Sequence, residues 1–473
     1  MSRLLLLATV SPLILAPALA QDADERREET VIVTAPGPDR SADELVGNAS
    51  LIDREELLQG LSSTLGDTLD RQPGVSTTFF GQGASRPVLR GLGAERVQVL
   101  TNGIGVIDAS AASPDHQVAA DGIDAEKIEI LRGPAALAYG GQAIGGVVNV
   151  IDGLIVEDLP EDPISGDLFA AYNNVNEGSE LAARGQFVTG PFVLTLSASQ
   201  RDFDNYDIPD FAESSLFRAL EEAEEEHDGE EEEHEEEAET RGTLENSFVE
   251  TETLSAGLSW IGDNAFLGVA VRQQTSEYGL PGHGEHGHHD EEGEEEGEEH
   301  EEEEEENPFI DLEQTRVDIR GGVTLNNGFL TDVTGTLAIV DYEHTEFEAP
   351  GEAGTVYESD GVEGRVEFGH EFGGFAGAFG AQFIDKTLDA TGEEAFISET
   401  DTRSFAAFLY ETQEWDSGFG VEGGLRLGNV ELDNITAGSR DFDLISGSFG
   451  IHQHTTSGWF FGGQVSYTER APT

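Results

Sequence analysis

From about residue 165 onwards, apolar residues alternate along the chain with small or polar residues. The clearest runs are 192–199, 253–260 and 459–468. A period of two is that of a β-strand with one apolar face, because successive side chains point to opposite faces. We count about 13 such strands, which limits the fold to a large antiparallel β-structure. A soluble β-sandwich and a membrane β-barrel both satisfy this pattern.

The connections between the strands separate these two folds. Tight turns lie near 190–191, 262–263, 326–328, 371–374, 416–418 and 456–458. They alternate with long, mostly acidic loops at 203–246, 277–311, 344–356, 387–400 and 432–440. Short turns at one rim and long loops at the other are typical of an outer-membrane β-barrel. We therefore predict an antiparallel transmembrane β-barrel over 153–473, located in a bacterial outer membrane.

The strand count and the membrane constraint add two expectations. After the N-terminus, no segment approaches the roughly 20 continuous apolar residues that a transmembrane helix needs, so any crossing must use strands. The count is odd, whereas closed bacterial barrels have an even number of strands. The last predicted strand also ends with the sequence, at 469–473. The pattern thus predicts a barrel that is truncated on its C-terminal side.

The N-terminal residues 1–20 have the organisation of a secretory signal peptide. Arg3 supplies the positive charge, 4–15 form an apolar core, and Ala18-Leu19-Ala20 is a cleavage site of small residues. We expect the mature protein to begin at Gln21 and to lie beyond the inner membrane.

Residues 40–152 follow a mixed α/β pattern and are rich in glycine. Short helices are predicted to begin at Asp53 and Thr64, and β-strands at 97–100, 127–131 and 146–151. The glycines indicate tight turns and close backbone approach. We predict a compact globular domain of about one hundred residues ahead of the barrel.

The chain is strongly acidic, with 96 Asp and Glu residues against 24 Lys and Arg residues. Of these acids, 14 lie in 221–239 and 15 in 285–306. Nucleic acid is excluded as a partner, because binding it needs a basic surface. No catalytic motif is present, so we predict that the protein is not an enzyme and has no cofactor.

The acidic segment 281–306 also carries histidines. They are His283, His286, His288, His289 and His300. Imidazole and carboxylate are ligands that zinc and similar divalent metals prefer. So acidic a segment does not bury enough apolar surface to fold by itself, which indicates an exposed loop that captures cations. The absence of cysteine excludes disulfides and thiolate sites, and with a single methionine it excludes soft copper(I) sites.

Several motifs of the N-terminal half resemble those of the TonB-dependent outer-membrane receptors. Thr30, Val31, Ile32, Val33, Thr34 and Ala35 look like a TonB box within the segment 21–39. The plug patterns are LDRQPGV at 69–75, RPVLRGL at 86–92, VLTNG at 99–103, IEILRGP at 128–134 and GGVVNV at 145–150. The resemblance implies a plug domain at 40–152 inside a 22-stranded barrel. It also implies that TonB, with its inner-membrane energising complex, pulls on the box.

Within that family, two elements resemble the zinc-uptake receptors. One is Ser113-Pro114-Asp115-His116 in the plug, and the other is Pro281-Gly282-His283-Gly284 at the start of the histidine-rich loop. The resemblance implies that Asp115 and His116 bind the metal. Glu343 and His344, at the extracellular end of a predicted strand, are candidates to complete a four-ligand zinc site. His370, His452 and His454 fall near the tight turns, and we interpret them as ordinary structural residues.

These observations favour TonB-dependent import of Zn²⁺ across the outer membrane. Nickel, cobalt, haem or a metal chelate are alternative cargoes. A barrel that only displays its acidic loops, for surface metal buffering or adhesion, is an alternative of a different class. A secreted soluble β-protein is the third possibility. The TonB-box segment favours the transporter, because a display barrel has no use for it.

Overall fold

A computed structural model describes residues 31–32, 37, 40–41, 45–47, 49–140, 143–216, 218, 241–281, 307–392 and 395–472. The predicted signal peptide and both acidic tracts lie outside these residues. So do the five histidines of the tract 281–306 and, within the proposed TonB box, Thr30 and 33–35.

The N-terminal domain is built on a five-stranded sheet with the spatial order β3-β8-β9-β6-β7. Its strands are β3 (Ser50–Asp53), β6 (Val97–Thr101), β7 (Ile104–Gly105), β8 (Lys127–Leu131) and β9 (Gly146–Ile151). β6 and β9 run parallel, and the other pairs are antiparallel. Two-stranded ladders join β1 (Val31–Ile32) to β2 (Arg40–Ser41) and β4 (Val75–Thr77) to β5 (Pro87–Leu89).

Two short helices pack on this sheet, and side chains cap both. Helix α1 (Arg54–Gly60) begins after Asp53, whose carboxylate accepts a hydrogen bond from the Glu56 amide at 2.9 Å. Helix α2 (Leu65–Leu69) begins after Thr64, whose hydroxyl accepts from the Asp67 amide. Each cap satisfies a backbone N–H that has no partner inside the helix. Short 3₁₀ helices span Ala94–Arg96 and Pro134–Tyr139.

No helix among the described residues is long and apolar enough to cross a membrane.

Among the described residues, the C-terminal part forms one antiparallel, barrel-like sheet of 13 strands, which confirms the predicted fold. Nearly every strand pairs with its neighbours in sequence. The strands are β10 (Ile164–Asn173), β11 (Gly178–Thr189), β12 (Phe192–Phe203), β15 (Val249–Ile261), β16 (Ala265–Gly279), β17 (Phe309–Asn327), β18 (Leu330–Ala349), β19 (Glu352–Phe372), β20 (Phe375–Gly392), β21 (Thr400–Glu414), β22 (Phe419–Asn434), β23 (Gly438–His454) and β24 (Phe460–Tyr467). A separate hairpin of β13 (Asp207–Phe211) and β14 (Arg241–Thr243) lies between β12 and β15.

The alternation along these strands is inverted relative to a soluble protein. On β12, Leu194 and Leu196 are exposed on the outer surface, whereas Thr195 is completely buried. On β16, Arg272 and Gln274 are likewise buried on the inner face. An apolar exterior with a polar interior is the arrangement of a membrane barrel. A soluble β-sandwich would bury the apolar face instead, so this fold is excluded.

The predicted loop at 344–356 is wrong. β18 continues to Ala349 and β19 begins at Glu352, so only a tight turn separates them. The sequence pattern failed here because Pro350, Gly351 and the acids around them suggest a loop, while ladder hydrogen bonds to β17 and β19 extend both strands. The extension places 342–346 in regular strand geometry. The hairpin of β13 and β14, inside the predicted loop 203–246, was also not foreseen.

The globular domain is held inside the sheet by buried ion pairs. The Arg201 guanidinium on β12 contacts Asp121 of the globular domain and, at 2.8 Å, Glu180 of β11. It also donates to the Ser63 and Ser62 carbonyls at 2.7 and 3.1 Å. The Arg201 guanidinium therefore binds two carboxylates and two backbone carbonyls at the boundary between the globular domain and the sheet.

We expect Arg201→Ala to destabilise the assembly by about 3–5 kcal/mol, because it leaves two buried carboxylates without their cation. Thermal unfolding of the protein in detergent, with limited proteolysis of the globular domain, measures the effect. Arg241→Ala is the control: Arg241 pairs with Asp210 at 3.1 Å, and both side chains are about two-thirds exposed. Loss of that exposed pair should change the free energy of unfolding by less than about 1 kcal/mol. Equal effects of the two substitutions would contradict the assigned role of Arg201.

Candidate metal-binding site

Three potential metal ligands meet where the globular domain touches β18. They are His116 of the globular domain and His344 and Glu346 of β18, and their ligand atoms all lie within 4.8 Å of one another. His116 Nε2 is 2.7 Å from Glu346 Oε1, and His344 Nε2 is 3.8 Å from the same oxygen. Both imidazoles are completely buried, whereas the Glu346 side chain is 23% exposed. The carboxylate therefore forms the open side of the cluster.

Hydrogen bonds to a barrel residue hold the segment that presents His116. The Tyr278 hydroxyl on β16 accepts from the Gln117 amide at 2.9 Å and donates to the Asp115 carbonyl at 3.0 Å. Tyr278 is completely buried, so these bonds are shielded from water. They fix the backbone on both sides of His116 relative to the barrel wall.

The hydrogen bonds of His116 also define which nitrogen carries a proton. Its Nδ1 lies 3.0 Å from the Ala109 carbonyl, which only accepts, so Nδ1 is the donor. Nε2 therefore bears the lone pair in the neutral ring. Burial lowers the pKa of His116, but hydrogen bonds to Glu346 and to Ala109, with the charge of Asp115, outweigh burial and raise the pKa above its ordinary value. In the protonated ring the second proton is on Nε2, so a metal ion that binds Nε2 must displace it.

β18 presents His344 by strand alternation. Residues 342, 344 and 346 share its inner face, because side chains two apart point the same way. The Tyr342 hydroxyl lies 2.7 Å from His344 Nδ1. His344 Nε2 is buried and has no hydrogen-bond partner among the described residues. Leaving such an atom unpaired costs roughly 1–3 kcal/mol, a cost that a bound cation would remove.

Aromatic packing holds both imidazole rings in place. The ring centroids of His116 and His344 are 4.4 Å apart, and the rings meet edge to face. Tyr357 of β19 packs against both, at 4.9 Å from His116 and 4.7 Å from His344. The rings have little room to rotate, so the two nitrogens keep their direction without a ligand.

The residues predicted as ligands have different positions. His116 and His344 are brought together. The Asp115 carboxylate accepts a hydrogen bond from the Ser113 hydroxyl and lies outside the three-residue cluster. Glu343 is exposed, on the face of β18 opposite to His344. Glu346 takes the place proposed for Glu343; it was missed because the predicted loop at 344–356 concealed the strand periodicity, which pairs His344 with a residue two positions away.

Two imidazoles and one carboxylate form a donor set that zinc accepts, with a fourth position left for water or a further ligand. Tetrahedral zinc with bonds of about 2.0–2.1 Å would separate its ligands by about 3.3 Å. The 2.7 and 3.8 Å distances bracket this value. The separations between the carboxylate oxygen and the two imidazole nitrogens are therefore close to those of a tetrahedral zinc site.

Residues 41–147 match the family TonB-dependent Receptor Plug Domain. The chain carries a TonB-dependent receptor plug domain. Curated proteins that resemble it include the vitamin B12 transporter BtuB of Photobacterium profundum, 33% identical over 153 residues, 32% of this chain and 25% of that protein. An iron-regulated outer membrane virulence protein of Vibrio cholerae is 30% identical over 216 residues, 41% of this chain and 31% of that protein. The matched region therefore spans less than one third of these relatives.

Solved structures extend the likeness beyond the plug domain. The copper transporter OprC has a TM-score of 0.67 and 14% identity, over 90% of this chain and 64% of that chain. The FrpB iron transporter from Neisseria meningitidis has the same TM-score and 12% identity, over 90% and 66%. At this identity the likeness shows the fold alone. The plug domain and the apolar exterior of the sheet place the protein in the bacterial outer membrane. The matched proteins are transporters or outer-membrane proteins, in agreement with the prediction that the chain is not an enzyme.

The described part of the proposed TonB box lies beside the plug domain. Val31–Ile32 form β1 and pair with Arg40–Ser41. Ile32 is buried in an apolar cluster with Tyr139 of the plug domain and with Phe408 and Tyr410 of β21. The two described residues of the box are therefore in a β-strand, and the apolar side chain of Ile32 anchors them.

The cluster yields a test with a matched pair of variants. Glu346→Gln removes the charged ligand between the imidazoles, and we expect zinc affinity to fall by more than about tenfold, since even outer-shell changes cost 10–100-fold. Glu343→Gln removes the same charge three residues away on the opposite face and should leave affinity unchanged. Zinc titration of the two variants, monitored by calorimetry, distinguishes them. A larger loss for Glu343→Gln would contradict the geometry described here.

Proposed function

We propose that the protein is a TonB-dependent receptor that imports a divalent metal ion, with zinc as the first candidate. The observation that carries the proposal is the convergence of His116, His344 and Glu346 at the boundary of plug domain and barrel. A site there lies on the path of a cargo that must pass the plug. Ligand chemistry supports a borderline cation, because imidazole and carboxylate are the donors zinc takes.

The division of the ligands between two domains suggests how the ion is released. His116 belongs to the plug domain, whereas His344 and Glu346 belong to the barrel wall. A displacement of the plug domain would withdraw one ligand from the other two and so weaken the site. Force applied by TonB to the segment 29–35 would provide that displacement. We propose that binding and release of the ion are coupled in this way.

Capture of the ion before it reaches the cluster is assigned to the acidic tracts. In the sequence, the tracts 221–239 and 281–306 come after β12 and β16, two strands that run in the same direction as β18. They are therefore connected at the end of the sheet that carries the turn between β18 and β19, near which His344 lies. Their negative charge would raise the local concentration of cations. We expect weak, rapidly exchanging binding from His283, His286, His288, His289 and His300, because so acidic a sequence does not fold by itself and loses conformational entropy when it binds an ion.

The alternative cargoes differ in the chemistry they need. Nickel and cobalt take the same donors as zinc, so only measured affinity separates them. The likeness to vitamin B12 transporters favours a metal chelate, but it is confined to about a third of this chain. A chelate or haem already has most of its coordination sphere filled and has less use for three converging ligands. A display barrel for metal buffering remains the alternative of a different class.

The cargo is tested by calorimetric titration of the refolded protein with zinc, nickel and haem. We expect one zinc site that is tighter than all others, and that His116→Ala removes while weak sites remain. Asp115→Ala should weaken this site less, because the Asp115 carboxylate lies outside the cluster. If His116→Ala leaves zinc binding unchanged, the plug-domain site is wrong, and another cargo or a buffering role becomes the better proposal.

Transport is tested separately by deleting 29–35. Uptake of radioactive zinc by cells should fall to the level of cells without the receptor, because the segment that TonB binds is missing. Zinc binding to the purified protein should be unaffected, which serves as the control for folding. Undiminished uptake after the deletion would favour the display barrel over the transporter.

A further inference from the structure

A second cluster of metal-type ligands lies at the opposite end of the barrel strands. It consists of Glu414 at the end of β21 and His452 and His454 at the end of β23, with all ligand atoms within 4.8 Å. Glu414 Oε2 is 2.9 Å from His452 Nε2 and 2.7 Å from His454 Nδ1. The donor set, two imidazoles and one carboxylate, is the same as in the first cluster.

A glycine makes this meeting possible. Gly420 of β22 is in register with both Glu414 and His452, and so stands between them in the sheet. A Cβ on Gly420 would overlap the His452 imidazole. Without that Cβ, the imidazole lies across β22 and reaches the carboxylate two strands away. The sheet is thus shaped to bring Glu414 and His452 together.

Burial and aromatic packing hold the two imidazole rings of the cluster in place. The His452 side chain is only 3% exposed, and it faces Glu414 through Nε2. Phe460 of β24 covers both rings, at 5.4 Å from His452 and 4.7 Å from His454. Glu414 and His454 are partly exposed, which leaves an entry path for an ion.

The start of the plug domain lies next to this cluster, and a residue of the preceding segment lies at the same end of the sheet. Gly462 is the register partner of His452, and a Cβ placed on it would lie 3.1 Å from Val46 Cγ1. Gly37 approaches Gly377, near the turn between β19 and β20, at the same end of the sheet. The cluster therefore lies at the rim where the TonB-box segment enters the plug domain.

We infer that Glu414, His452 and His454 form a second binding site for a zinc-like divalent cation, at the rim of the barrel opposite to the first site. Three protein ligands leave one position open, which suits an ion that arrives and leaves. Whether this cluster binds a metal ion does not depend on which cargo the protein imports. Its use as an exit site, occupied after the ion passes the plug domain, rests on the proposed import function.

The test counts zinc ions bound per full-length chain in detergent, after dialysis against a weak chelator. His454→Gln is the main variant, because its partly exposed side chain can be replaced without disturbing the fold; His452→Gln is the second. His370→Gln is the matched control. His370 forms a similar pair with Glu411, at 2.9 Å near the same rim. This pair lies on the other face of the sheet, where the His370 ring packs against Phe329 and Phe379. Among the described residues, no second imidazole joins the pair to make a three-ligand cluster.

We expect each of the two rim variants to lose one equivalent of zinc relative to the parent protein and to His370→Gln. Cobalt(II) substitution provides a second readout: the parent minus His454→Gln difference spectrum should show the intense visible bands of four-coordinate cobalt. Equal zinc content in the parent and both rim variants, or an equal loss in His370→Gln, would overturn the inference.

The exit role is measured by zinc uptake into cells. A rim variant that has lost its equivalent of zinc should import more slowly while keeping the tight plug-domain site. Unchanged uptake would leave the rim site as a metal site and overturn its exit role. If the parent protein itself imports no zinc, the proposed function fails, while the zinc count still decides whether the rim site exists.

Discussion

The structure depends on the need to pair every backbone polar group of a chain that crosses lipid. An antiparallel sheet meets that need through its ladder hydrogen bonds. Because the strand period is two, it also sends alternate side chains to the interior, away from lipid. That interior is where buried polar groups such as Arg201 and His344 are placed. The plug domain and both ligand clusters are consequences of this polar interior.

The first cluster is the part of the polar interior where we propose that an ion binds. A buried ion pair or imidazole is costly unless its partners are well arranged. Arg201 is fully supplied with partners, so it holds the plug domain in place. His344 Nε2, in contrast, has no hydrogen-bond partner in the described part of the chain. We interpret the first as structural and the second as the place where an ion binds.

Sequence patterns located His116 and His344 but not their common partner. His116 belongs to a motif with a recognisable local sequence, and His344 is a candidate because it lies, with Glu343, at the extracellular end of a predicted strand. Glu346 was overlooked in favour of Glu343, because a predicted loop carries no rule about which residues share a face. At the other rim, His452 and His454 were interpreted as ordinary residues. Their partner, Glu414, is distant in sequence and meets them only across Gly420.

The sequence by itself determined the class of fold, the plug domain and the strongly acidic character of the loops. These properties depend on local periodicity, short motifs and composition, all of which a single chain displays. Only the tertiary structure decided which ligands meet. Strand register, the length of β18 and the docking of the plug domain set those distances, and each results from pairing between residues far apart in the chain. A shift of register by one residue would turn His344 and Glu346 to the outer face and abolish the cluster.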